Sequence, residues 1–105
     1  MITKFLQKNV TEYVANKIHS AKLIVNDVVN DDVVIKDKVI RDNKFIDIYV
    51  DFTFASTSDI INGIMIYDQT GNLLAKDLLN ITYNVQSATY VYTIDITSKK
   101  QILEN

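Results

Sequence analysis

The sequence predicts an α+β fold that is mainly β, with an N-terminal amphipathic helix followed by a six- to seven-stranded antiparallel β-sandwich or curved sheet. Apolar and polar residues alternate in residues 44–54 and again in residues 88–97, which is typical of strands with one buried face. Residues 2–18 instead carry apolar side chains at spacings of three and four, which is typical of a helix. We therefore expect a single domain over residues 1–105, since no linker-like segment divides the chain.

The helix is predicted over about residues 4–19, with Thr3 as its N-cap. Lys17 and His19 lie near its predicted end, where positive charge is favourable to the helix dipole. Its apolar side chains form one stripe, which we expect to dock on the sheet. The stripe consists of Ile2, Phe5, Leu6, Val10, Tyr13, Val14 and Ile18.

The β region is predicted over about residues 22–97, as short strands separated by polar turns. The predicted strands cover residues 22–29, 33–40, 44–54, 60–67, 73–76, 80–84 and 88–97. Turns are expected at residues 30–32, 41–43 and 77–79, and a loop at residues 55–59. Residues 98–105 are predicted to form a short polar tail.

Two of these strands carry further signals. Ile46, Ile48, Val50, Phe52 and Phe54 fall on the same side of their strand, so this side is predicted to be buried.

The strand of residues 60–67 is apolar on both sides, which predicts a central strand, and Gly63 within it indicates a bulge or a close approach of backbones. Asp68 and Gly71 then suit a hairpin turn, so residues 64–67 are expected to pair with residues 73–76.

Charge and composition exclude several classes of function. The eleven basic and thirteen acidic residues are intermixed, with a net charge of −2, which argues against a nucleic-acid groove. The absence of cysteine excludes disulfides and thiolate metal sites. No apolar run approaches the ~18 residues of a membrane span, and no secretory pattern is present, so we expect a protein that is cytoplasmic at synthesis.

The sequence also lacks a recognisable catalytic or cofactor constellation. His19 is the single histidine, so sites built on histidine pairs are excluded, and no serine lies in a Gly-x-Ser-x-Gly elbow. The oxygen-rich segment Asp27–Asp32 does not match an EF-hand loop and is predicted to be a solvated turn. We therefore predict no enzyme, no catalytic or metal-binding residue and no cofactor. An enzyme acting through His19 or through Asp27–Asp32 is the weakest alternative.

Four side chains are candidates for a protein interface. Phe45 and Tyr49 share the otherwise polar side of their strand, and Met65 and Tyr67 share one side of theirs. If these sides adjoin, they form an apolar patch of the kind found at subunit contacts. In the alternative interpretation, the N-terminal helix covers the same patch. The chain has no proline to protect its edge strands, which also favours a partner chain.

The hairpin segment gives the sequence a resemblance to a known group of proteins. An N-terminal helix, several strands and then residues 60–75, with Asp68, Gly71 and Asn72 in the turn, resemble small structural proteins of tailed-phage tails and baseplates. The same layout is similar to the N-terminal, tail-attaching domain of phage tail-collar fibre proteins. The resemblance implies a virion part without catalytic residues, whose partners are itself and other virion proteins. A competing hypothesis is a small intracellular binding module or inhibitor that docks on a host protein through a sheet edge.

Overall fold

One helix and seven strands make up the described part of the chain, in a computed structural model that describes residues 3–53, 59–83 and 87–97. The elements are α1 (Lys4–Lys17), β1 (Ser20–Val25), β2 (Val28–Asn30), β3 (Val33–Arg41), β4 (Phe45–Thr53), β5 (Asp59–Tyr67), β6 (Leu73–Tyr83) and β7 (Ser87–Asp95). They form two antiparallel sheets with strand orders β2-β1-β5-β6 and β3-β4-β7. The predicted α+β, mainly β fold is confirmed. The predicted loop at residues 55–59 falls mostly outside the described residues, and the predicted tail of residues 98–105 lies entirely outside them.

The two sheets share one hydrophobic core. Every second residue of β4 is buried, so the predicted buried side is confirmed for Ile46, Ile48, Val50 and Phe52, while Phe54 lies outside the described residues. These side chains belong to the same cluster as buried residues of the other sheet, which are Ala21, Leu23, Val25, Ile61, Ile64, Ile66 and Ala75. Since side chains alternate along a strand, the remaining residues of each sheet point outward, away from this core.

The helix begins as predicted but docks by a different side. The backbone N–H of Leu6 donates to Thr3 Oγ1 at 3.2 Å, which confirms the N-cap, and the helix ends at Lys17. The prediction that its apolar stripe docks on the sheet is confirmed for Ile18, which is buried in the core, and for Val14, which packs against it, and Ile2 lies outside the described residues. It is wrong for Phe5, Leu6, Val10 and Tyr13, which are all exposed.

Small side chains mediate the docking instead. Thr11 and Ala15 are buried where α1 packs against β3 and β4. The Thr11 hydroxyl oxygen lies 2.7 Å from the carbonyl oxygens of both Gln7 and Asn43, so a polar side chain is satisfied inside the interface. Two small side chains one turn apart let the helix approach the β3–β4 hairpin closely, and bulky ones in their place would hold it away.

The predicted strand of residues 22–29 is two strands in the structure. Asn26 and Asp27 have φ angles of 50° and 65° and form a tight turn between β1 and β2. Both residue types tolerate the left-handed region, so the turn forms inside an Ile- and Val-rich segment without glycine. The turn is fixed to β5, because the Ile60 N–H donates to Asn26 Oδ1 at 3.1 Å and the Asp27 N–H donates to Asn62 Oδ1 at 2.7 Å.

Strand β6 runs through the predicted turn at residues 77–79, so that prediction is wrong. A bulge absorbs one extra residue of β6, since Ile61 pairs with Ile81 but Gly63 pairs with Leu78. The close approach predicted at Gly63 is confirmed, because a Cβ there would lie 3.1 Å from both the Asp77 carbonyl oxygen and Ile24 Cδ1. Strand β5 lies between β1 and β6, as predicted for a central strand.

Candidate interaction surfaces

The exposed side of α1 is the most apolar surface of the helix. Phe5, Leu6, Val10 and Tyr13, which we call the α1 stripe, are 76%, 49%, 39% and 64% exposed. The Lys17 ammonium lies 5.3 Å from the centre of the Tyr13 ring and gives the stripe a positive end. This exposure was not predicted from the sequence. Thr11 and Ala15, two small residues four positions apart, were the signal that their side of the helix docks closely.

A cleft of about 530 Å³ separates the end of the α1 stripe from the β5–β6 turn. Tyr13 and Lys17 lie on its helix side, and Asp68 and Asn72 on its turn side. The predicted hairpin is confirmed, with Ile66 paired to Ala75 and with Gly71 at a φ of 88°.

Hydrogen bonds to one carboxylate fix the shape of this turn. The Asn72 backbone N–H donates to Asp68 Oδ1 at 2.8 Å, and the Thr70 N–H donates to the same oxygen at 2.9 Å. These bonds favour the charged form, so they lower the pKa of the Asp68 carboxyl, with the Asn72 backbone N–H as the largest cause. The turn therefore presents a fixed negative charge across the cleft from Lys17.

The four predicted interface residues occupy two different sheets. Met65 and Tyr67 point outward from β5, and the Tyr67 hydroxyl donates to Met65 Sδ at 3.3 Å. Phe45 and Tyr49 point outward from β4, in the other sheet. The structure therefore places the residues as two pairs on the outward sides of two different sheets. All four are half-buried.

The helix does not lie over the Phe45 and Tyr49 pair. Its Ala15, and Ile18 directly after it, belong to the shared core, on the opposite side of β4.

The outward side chains of the sheet β2-β1-β5-β6 form a surface that we call face A. Cross-strand pairing places Lys22, Met65 and Lys76 in one row across this sheet. The neighbouring row contains Val29, Ile24, Gly63 and Leu78. Face A thus combines two lysines with aliphatic side chains, and the Lys22 ammonium also lies 5.3 Å from the centre of the Tyr67 ring.

The outward side chains of the sheet β3-β4-β7 form a second surface, face B. Its apolar members are Val34, Val39, Phe45, Tyr49 and Val91. Its charged members are Asp37, Arg41, Asp47, Asp51 and Asp95. These four aspartates outnumber Arg41 and Lys44, whose ammonium lies 4.8 Å from the centre of the Phe45 ring, so face B is acidic on balance. Face A is basic on balance, with Lys22 paired to Asp31 and Lys76 in the same row as Lys22.

The centre of face B is held by an ion pair. Arg41 Nε donates to Asp47 Oδ2 at 3.1 Å, and Thr93 Oγ1 donates to Asp47 Oδ1 at 2.7 Å. The bond from Arg41 and then that from Thr93 lower the pKa of the Asp47 carboxyl. The guanidinium also lies 4.5 Å from the centre of the Phe45 ring, and Thr89 donates to Asp51. These contacts link the polar side chains of face B to one another and to the Phe45 ring.

The residues of the weakest alternative, an enzyme acting through His19 or Asp27–Asp32, lie at the surface. His19 is exposed between α1 and β1, and its backbone N–H donates to the Tyr67 carbonyl oxygen at 2.9 Å. Asp31 forms an exposed ion pair with Lys22 at 3.5 Å. Within the part of the chain that the structure describes, no group of three or more His, Cys, Asp or Glu side chains is arranged to hold a metal ion.

No family model, curated protein or solved structure matches the chain. Among the described residues, no helix is long and apolar enough to cross a membrane.

Proposed function

We propose that this chain is a non-enzymatic structural protein of a tailed phage, and that it acts in the tail, baseplate or neck by binding other virion proteins. The observation that carries the proposal is the exposed α1 stripe. It adjoins the β5–β6 turn, and that turn contains Asp68, Gly71 and Asn72, the residues on which the resemblance to phage tail proteins depends.

The physical argument concerns apolar surface left in water. Burying apolar area contributes roughly 25 cal/mol per Å², and a contiguous exposed apolar patch is typical of a protein contact site. Phe5 and Tyr13, the most exposed members of the stripe, are large aromatic side chains of the type enriched at interfaces. Their burial against a second virion protein would stabilise a permanent assembly without any catalytic residue.

The cleft beside the stripe adds specificity to this contact. A partner segment lying along α1 would meet Lys17 on one wall and the Asp68 carboxylate on the other. Such a pair of opposite charges selects the orientation of the partner, because the wrong orientation places like charges together.

Incorporation into phage particles tests the proposal. We expect the tagged chain, expressed during phage assembly, to co-purify with intact particles at a fixed ratio. The variant Leu6→Glu/Val10→Glu places two charges in the stripe and should be lost from particles while its thermal melting resembles that of the original chain. The matched control Lys4→Gln/Lys8→Gln changes the net charge equally on the other side of α1 and should be incorporated normally.

Two outcomes would contradict the proposal. In the first, the original chain is absent from purified particles and instead binds one host protein stoichiometrically, which would favour the intracellular binding module. In the second, the stripe variant and its control are incorporated equally well, so the stripe makes no contact in the particle.

A further inference from the structure

Faces A and B are the outward sides of two different sheets that share one core, and their net charges have opposite sign. Lys22 and Lys76 flank Met65 in one row of face A, where Asp31 pairs with Lys22 at 3.5 Å and leaves Lys76 as the lysine of this row without an acidic partner among the described residues. In face B, Asp37 lies opposite Tyr49, and Asp51 lies two residues further along β4. Since the two sheets share one core, one molecule presents a surface that is basic on balance from one sheet and a surface that is acidic on balance from the other.

Each face also exposes aliphatic side chains beside its charges. Leu78 and Val29 on face A are 79% and 51% exposed, and Val39 and Val91 on face B are 41% and 42% exposed. A surface that combines exposed aliphatic groups with one sign of charge is suited to a partner with aliphatic groups and the opposite sign. The other face of the same chain has both properties.

We propose that copies of this chain stack head to tail, with face A of one copy lying on face B of the next. Two sheets that pack face to face lie about 10 Å apart and interdigitate their side chains. Such a contact would cover the outward pair Met65 and Tyr67 of one copy and the outward pair Phe45 and Tyr49 of its neighbour.

Charge selects this arrangement over symmetric dimers. Two copies joined through face A would bring Lys22 and Lys76 against the same lysines, and two joined through face B would bring Asp37 and Asp51 against the same aspartates. Contact between face A and face B places lysines against aspartates. Because each contact joins two different surfaces, a stack of copies keeps one free face at each end. Further copies can therefore add until a ring closes or a filament forms.

The inference rests on the proposed function, because repeated copies in a ring or filament are one way in which a tail component is built. The two can fail separately. A chain that enters particles through the α1 stripe but never stacks on itself would retain the function and lose the inference.

Sedimentation velocity on the purified chain is the primary test. We expect the average mass to rise beyond that of a dimer as the chain concentration increases. Raising the salt concentration from about 0.05 to about 0.5 M should weaken the association, since screening acts on charges at the rim of the contact. A chain that stays monomeric at millimolar concentration, or that stops at a dimer, would overturn the inference.

Charge-reversal variants identify the faces. The face A variant Lys22→Glu/Lys76→Glu and the face B variant Asp37→Lys/Asp51→Lys should each weaken association by more than about a hundredfold, because like charges then meet. Mixing the two variants should restore assembly, since opposite charges meet again at every contact. The control Lys4→Glu/Lys8→Glu changes the net charge as much as the face A variant does, on α1, and should assemble normally.

The mixture separates stacking from the alternatives, and thermal melts of each variant show that it is folded. If only one face variant loses association, the contact is symmetric and the inference is wrong. It is also wrong if both variants assemble like the original chain, or if folded variants fail to assemble when mixed.

Discussion

The Lys38 ammonium donates a hydrogen bond of 2.9 Å to the carbonyl oxygen of Ile18, just beyond the last turn of α1. It donates a second bond of 2.9 Å to the carbonyl oxygen of Ala15. Lys38 pairs with Ile48 in the β3–β4 hairpin, so its side chain lies on the core side of its strand. Lys38, on the edge strand β3, thus caps the helix C-terminus, where carbonyl groups otherwise lack partners.

Replacing Lys38 by methionine should lower the free energy of unfolding by about 1 kcal/mol, because the helix loses a cation at its negative end. Methionine keeps most of the aliphatic length, so the change isolates the charge. Lys36→Met, on the same strand, is the control and should change stability by less than about 0.5 kcal/mol. Urea denaturation of both variants measures the difference, and equal losses would contradict a capping role.

Thr11 is the polar contact between α1 and the β3–β4 turn. Its hydroxyl is fully buried and reaches the carbonyl oxygens of Gln7 and Asn43. Thr11→Val keeps the shape but leaves the Asn43 carbonyl without its partner, so we expect a loss of about 1–2 kcal/mol in the free energy of unfolding. Thr11→Ser keeps the hydroxyl and should lose less. If serine proves as destabilising as valine, then the methyl group and not the hydrogen bond holds the helix.

Strands were predicted well from the sequence where buried and outward-facing residues alternate along them. In β4 the alternation of Ile46, Ile48 and Val50 with polar residues reports the environment directly, since one side faces the core and the other does not. The turn at Gly71 was predictable because few residues adopt its φ of 88°. Both features depend on residues close together in the chain.

Features that depend on distant residues were not predictable. The periodicity of α1 shows that it has an apolar stripe but not which side of the helix faces the core. That side depends on contacts with distant residues, such as the hydrogen bond from Thr11 to Asn43. The four interface candidates likewise share strand faces, but no local pattern shows that β4 and β5 belong to different sheets.

The register of β4 gives a sharp comparison between neighbouring residues. Val50 is fully buried, so Val50→Asp would place an unpaired charge in the core and should cost several kcal/mol, enough to prevent folding. Asp51 points outward on face B, and Asp51→Asn should change stability by less than about 0.5 kcal/mol, because the amide oxygen still accepts from Thr89. Thermal melts that show equal losses for the two variants would contradict this register.

The turn at Gly71 tests backbone strain alone. A Cβ at this position would meet no atom within 4 Å, so any loss on substitution comes from the positive φ. Gly71→Val should lower the free energy of unfolding by more than ~1 kcal/mol, because a β-branched residue is strained there. Gly71→Asn should cost less, since asparagine tolerates positive φ. Equal stability of the valine variant and the original chain in chemical denaturation would contradict the turn assignment.

Acid stability should depend on aspartates that accept hydrogen bonds in the folded chain. Bonds from Arg41 and Thr93 lower the pKa of Asp47, and bonds from Thr97 lower the pKa of Asp95. Each folded pKa lies below the unfolded value of about 3.9, so the folded state holds fewer protons. This stabilisation is present above that unfolded pKa and is lost as the pH falls through the lowered folded values.

We therefore expect the free energy of unfolding to fall on acidification below about pH 4, with a shallower fall in Asp47→Asn, which has already lost its ionised partner for Arg41. Asp31→Asn is the control, because it removes only an exposed ion pair with Lys22, and such pairs contribute little. Urea denaturation at a series of pH values measures each slope. If Asp47→Asn retains the full acid dependence and Asp31→Asn loses it, then the ion pair of face B does not stabilise the fold.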